Sequence, residues 1–173
     1  MKILLNITIF LLFLILFLKK KEYFNNSNQD EIIKNLWVGN YRSAVDKNFL
    51  EKNDIKLIIN LSKTLEFTTL PNIYKFRIPI HDNLSEESNL GMINHFEKSY
   101  NLIDKFLKNN KGVLVHCKAG AQRSATLAAL YLMKKYNIKS KEAMKIVKSK
   151  RKCAFFSRPN FLPVFHHFDT KIN

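Results

Sequence analysis

The chain has 173 residues, 46% hydrophobic and 12% aromatic, with no low-complexity tract and no internal repeat; this excludes a disordered or repeat-built polymer and leaves room for one domain with a real core. Two cysteines are too few for a disulfide framework. A formal net charge of +15 favours anionic partners, unless it is the background bias of a Lys- and Asn-rich chain.

The first element is "ILLNITIFLLFLILFL", Ile3 to Leu18. As a helix it would reach about 24 Å, against a hydrocarbon core of about 30 Å, and snorkelling lysines can supply the difference. No small-residue cleavage site follows, so residues 1–21 are read as a retained membrane anchor rather than a signal peptide. Lys19, Lys20 and Lys21 follow the run and Lys2 precedes it, which puts the rest of the chain on the cytosolic side. Without those four, 25 basic residues stand against 14 acidic ones, so +11 remains outside the anchor. Acceptor triplets for N-glycosylation begin at Asn25, Asn60 and Asn83. Asn60 closes an apolar run where a glycan would disturb folding, which agrees with a cytosolic domain. "EYFNNSNQDE" is polar, so residues 22–31 are read as a linker to a domain spanning 32–173.

Four strands are expected along that domain: "LWVG" (36–39), "IKLIINL" (55–61), "YKFRIPI" (74–80) and "GVLVHC" (112–117). Between the last two, "NHFEKSYNLIDKFLK" (94–108) extends a helical pattern that sets Ile93, Phe96, Tyr100, Ile103 and Leu107 on one face. "SATLAALYLMKKY" (124–136) is apolar on nearly all sides and should be a buried helix. "SKEAMKIVKSKR" (140–151) opens a third helix with Ser140 as its N-cap. Strands and helices alternate, so the fold class is α/β, a sheet covered on both faces.

The chemistry gathers in "HCKAGAQRS", His116 to Ser124. The last strand delivers Cys117 to its carboxyl end and a helix starts near Arg123, which is where open α/β sheets bind ligands. Amides of Lys118, Ala119, Gly120, Ala121 and Gln122 can converge there as a nest, and the helix dipole adds positive potential. Gly120 allows a left-handed turn of the loop. Arg123 can fork onto two oxygens of an anion. The whole describes a cradle for a phosphate-like dianion, with Cys117 as a nucleophile whose thiolate the cradle favours. Ser124 can donate a hydroxyl to the sulfur as it leaves. His116 faces the other way along the strand and orders the loop from behind. Alone, Cys117 would read as a small core residue; Gly120, Arg123 and Ser124 in register point to catalysis.

This stretch resembles the Cys-x5-Arg-Ser signature of the protein tyrosine phosphatase superfamily, and is most similar to its dual-specificity branch, from about Leu36 to Phe168. "LWVGNYRSA" resembles that family's opening strand and "RPNF" (158–161) its closing segment. The resemblance implies a central mixed sheet flanked by helices, with the phosphate loop between the last central strand and a buried helix. It implies a phosphocysteine intermediate at Cys117. It also implies a general acid in "IPIHDN", which is Asp82, with Glu86, Glu87 and His81 as substitutes because "SEESN" lengthens the loop. Asp104 lies in the amphipathic helix and is read as a solvated charge.

A compact domain with no phosphotyrosine-clamping segment implies substrates phosphorylated on tyrosine and on serine or threonine. Phosphoinositides at an anionic membrane surface are the second reading, favoured by Lys118 and disfavoured by Ala121, where lipid-directed loops carry a second basic residue. A non-catalytic phosphate-binding module is a third. An RNA 5′-triphosphatase ranks last, since no aromatic, basic platform for single strands stands out and no nucleic-acid partner is expected. Cys153 reads as core, or as a thiol able to pair with an oxidised Cys117. The five histidines are scattered without ligand spacing, so no metal or other cofactor is expected.

Overall fold

The computed structural model describes residues 27–172. The apolar run 3–18, the start of the linker and Asn25 lie outside the described residues. Five strands form one mixed sheet in the order β1-β2-β5-β3-β4: β1 Gln29–Ile33, β2 Leu36–Gly39, β3 Ile55–Asn60, β4 Tyr74–Arg77 and β5 Gly112–His116. The helices are α1 Lys47–Lys52, α2 Glu86–Lys108, α3 Arg123–Tyr136, α4 Ser140–Lys150 and α5 Leu162–Asp169.

β5 is central and all five of its residues are buried, as the unbroken apolar run requires. It pairs in parallel with β2 and β3, while β1 closes the edge antiparallel to β2. Alternate residues supply two cores. Val113 and Val115 join Leu36, Val38, Leu57 and Ile59 under α2, α3, α4 and α5. Leu114 and Ile58 pack with Phe49 and Leu50 of α1. Both faces are covered, one thickly and one thinly. In register, Gly39 and Asn60 both stand opposite His116, so three strands end together at one edge of the sheet.

Besides one-residue differences at several element ends, four boundaries differ from the sequence reading. The stretch read as linker to residue 31 is a strand from Gln29, because an edge strand pairs on one side only and tolerates Asp30 and Glu31. The third expected strand stops at Arg77. Pro79 has no amide to offer a ladder, and Ile80 N–H turns back to Ile78 O (2.9 Å). "SEESN" is not loop: Ser85 accepts from Ser88 N–H (3.2 Å) as an N-cap, and α2 starts at Glu86. Ser140 is the first helical residue rather than the cap; the Asp169 carboxylate accepts its amide (2.7 Å) and its hydroxyl (2.6 Å). Among the described residues, no helix is long and apolar enough to cross a membrane.

Candidate active site

β5 ends at His116, and Cys117 follows at the edge where β2 and β3 also end. The chain then turns through residues 118–122 into α3. Gly120 makes that turn possible: its φ is +69°, and a Cβ there would stand 2.6 Å from the Gly39 backbone and from the Arg151 guanidinium. Cys117 lies on the floor, 1% exposed. Its Sγ accepts from Gly120 N–H (3.2 Å) and lies 3.3 Å from Ser124 Oγ. The Gly120 amide is therefore aimed at the sulfur, and the Ser124 hydroxyl lies within hydrogen-bonding reach of it.

Arg123 opens α3 and is 9% exposed. One amino group donates to Leu61 O (3.0 Å) and Ile80 O (3.4 Å), which fixes the plane of the guanidinium. Nε makes no hydrogen bond and stands 3.6 Å from Asp82 Oδ2. A buried guanidinium with Nε uncommitted suits an incoming oxyanion. Asp82 is held from its other side by Asn160, whose Nδ2 donates to Oδ1 (2.7 Å). The two residues flank a cleft of about 210 Å³ whose rim includes Lys63, His81 and Lys118.

The structure brings Cys117, Gly120, Arg123, Ser124 and Asp82 to one place. Lys118 and Ala119 are exposed. Ala121 O accepts from Phe155 N–H (2.8 Å). The Gln122 side chain turns towards residues 156–160: Nε2 donates to Phe156 O (3.2 Å) and Arg158 O (3.0 Å), and Oε1 accepts from Asn160 N–H (3.0 Å). Gln122 thus steadies the segment that holds Asp82. His81 is exposed, Glu87 pairs with Lys63 (3.2 Å), and Glu86 and Glu87 complement the positive start of α2. Asp104 is half-buried rather than solvated, paired with Lys108 (2.7 Å) and Lys135 (3.4 Å).

His116 is fully buried and neither ring nitrogen reaches hydrogen-bond geometry. Burial pushes its pKa down to about 4; the Cys117 backbone opposes the shift, and the charges of Arg77 and Arg123 add to it. It is a neutral wedge behind the loop at neutral pH. Cys153 is half-buried, and burial pushes its thiol up. Arg151, Asp30 and Asn160 were given no role by sequence reasoning. The signal for Arg151 was an Arg among the lysines of "KSKRK", where a planar fork is chosen over a point charge.

Residues 36–170 match the family model for the dual specificity phosphatase catalytic domain. Human dual specificity protein phosphatase 16 is 34% identical over 127 residues, which cover 73% of this chain and 18% of that protein. Dual specificity protein phosphatase 1B of Arabidopsis thaliana is 29% identical over 142 residues, 82% of each chain. The crystal structure of human DUSP28 superposes with a TM-score of 0.75 at 23% identity, covering 84% of this chain and 95% of that one.

Proposed function

The chain belongs to the dual specificity phosphatase family, and on that footing we propose that it hydrolyses phosphomonoesters on tyrosine and on serine or threonine of proteins. The loop amides and Arg123 hold the phosphoryl oxygens. The Cys117 thiolate attacks phosphorus in line, an S–P bond forms as the P–O bond to the substrate breaks, and Asp82 gives its proton to the leaving oxygen. Water then attacks phosphorus. Asp82 takes its proton, and Ser124 donates to the departing sulfur. The observation that carries this reading is Cys117 Sγ accepting from Gly120 N–H (3.2 Å) with the Ser124 hydroxyl 3.3 Å away, beneath a buried arginine.

The test uses the full chain in detergent and measures phosphate release from a phosphotyrosine peptide, a phosphothreonine peptide and a soluble phosphoinositide, beside Cys117→Ser. Turnover of both peptides, lost in the variant, is expected. Binding without turnover would make the domain a phosphate-binding module.

Membrane anchoring through residues 3–18, with the domain on the cytosolic side, belongs to the same proposal. β1 begins at Gln29 opposite Gly39, which itself stands opposite His116. The chain therefore joins the domain at the edge that bears the loop. Residues 19–26 could span at most about 28 Å, so the cleft would work near the surface that holds the apolar run. That geometry, with Lys118 exposed at the cleft, favours the second reading, a phosphoinositide in an anionic membrane. Turnover of the lipid alone would promote it.

A further inference from the structure

Arg151 follows α4 and is 1% exposed, yet its charge has no part in the chemistry proposed above. Its guanidinium is shared between two distant pieces of chain. Nε donates to Gly120 O (2.6 Å), and one amino group donates to Ala119 O (3.3 Å). The other amino group donates to Asp30 Oδ2 (2.7 Å) and to Ser27 O (3.3 Å), at the start of β1. A charge so far from water persists only where it is paired and its protons are bonded. Asp30 and three carbonyls meet that need.

The direction of these bonds matters. Across a planar trans peptide, the C=O of one residue and the N–H of the next point opposite ways. Drawing Ala119 O towards Arg151 turns Gly120 N–H away from it, and that N–H is the one that donates to Cys117 Sγ (3.2 Å). Drawing Gly120 O the same way turns Ala121 N–H away from Arg151 likewise. A side chain at residue 120 would collide with the guanidinium at 2.6 Å, so the glycine is needed for this contact as well as for its φ.

We infer that Arg151, held in place by Asp30, is a positioning residue: it sets two peptide planes of the loop so that their amides face the sulfur and the bound phosphoryl group. The edge strand that the sequence offers as linker is thereby part of the site's architecture. This inference rests on the phosphatase reading and names what prepares its cradle.

The test compares the full-length wild type with Asp30→Asn and Arg151→Lys. Inhibition by inorganic phosphate, direct binding of tungstate, kcat/KM on an aryl phosphate and the thermal midpoint are measured for each, all per folded molecule. Arg151→Lys keeps charge but cannot span both partners. It is expected to weaken phosphate inhibition about tenfold and lower kcat/KM about 10²-fold. Asp30→Asn, which keeps the shape, should move both in the same direction by about threefold, and it decides alone if Arg151→Lys does not fold. A lowered thermal midpoint with oxyanion binding and kcat/KM unchanged in the folded variants would overturn the inference and leave Arg151 a support of the fold. A wild type that neither binds tungstate nor turns over would sink the phosphatase reading itself, and this inference with it.

Discussion

The two sides of the cleft are built differently. The phosphate side is buried and tied from several directions: Cys117, Arg123 and Ser124 are at most 9% exposed, and Arg151 pins the loop from below. The acid side is open. Residues 81–84 are all exposed, and Leu84 sits at φ +60°. Asp82 is held by Asn160 and by a 3.6 Å approach to Arg123. On the proposed mechanism the cradle is thus prepared before substrate arrives, while Asp82, as the acid, is free to adjust to the leaving group. Damage to the first should impair every substrate, and damage to the second only those whose leaving oxygen needs a proton.

The largest expected effect is at the sulfur. Cys117→Ser should lower kcat about 10⁴-fold or more on all phosphomonoesters, and Arg123→Lys should lower kcat/KM about 10³-fold, because an ammonium cannot fork. Steady-state rates on good and poor leaving groups check both, and a loss confined to one class would break the division between the two sides. Asp82→Asn sharpens it. A loss of about 10²-fold is expected on an alkyl phosphate, with little change on an aryl phosphate whose leaving group departs unaided. Equal losses would move the acid role elsewhere.

His116 carries the cost of burial on the cradle side. Its native pKa near 4 lies below the usual 6.5, so the unfolded chain binds a proton that the folded chain refuses between those values. Stability is full above about pH 6.5 and falls as the pH drops, by about 3 kcal/mol at pH 4. Urea unfolding at pH 7, 5.5 and 4 measures this, and His116→Asn should remove the slope in that window. The smallest effect belongs to the acid side: Asn160→Ala should cost about fivefold on poor leaving groups and leave phosphate inhibition unchanged.

The same division explains what could be read from the sequence. The cradle is local. Cys117 to Ser124 span eight residues, so strand end, glycine turn and helix start could be read together. Asp82 was reachable only through the family resemblance, since "HDN" alone is ordinary turn chemistry. Asn160 holds it from 78 residues away, and Arg151 meets Gly120 from 31 residues away and Asp30 from 121; no spacing rule connects such pairs. The start of α2 was hidden by a polar first turn, and β1 by charges that only an edge strand tolerates. Burial and periodicity marked the centre of the sheet and its β4 edge, and missed only the β1 edge.

The most direct test of the central claim is to trap the intermediate. The full chain, mixed with a phosphotyrosine peptide and quenched in acid within the first turnovers, would be digested and mapped by mass. A phosphoryl group on the peptide bearing Cys117, absent in Cys117→Ser, is the expected result. A phosphoryl group on another residue, or turnover undiminished in Cys117→Ser, would contradict the account.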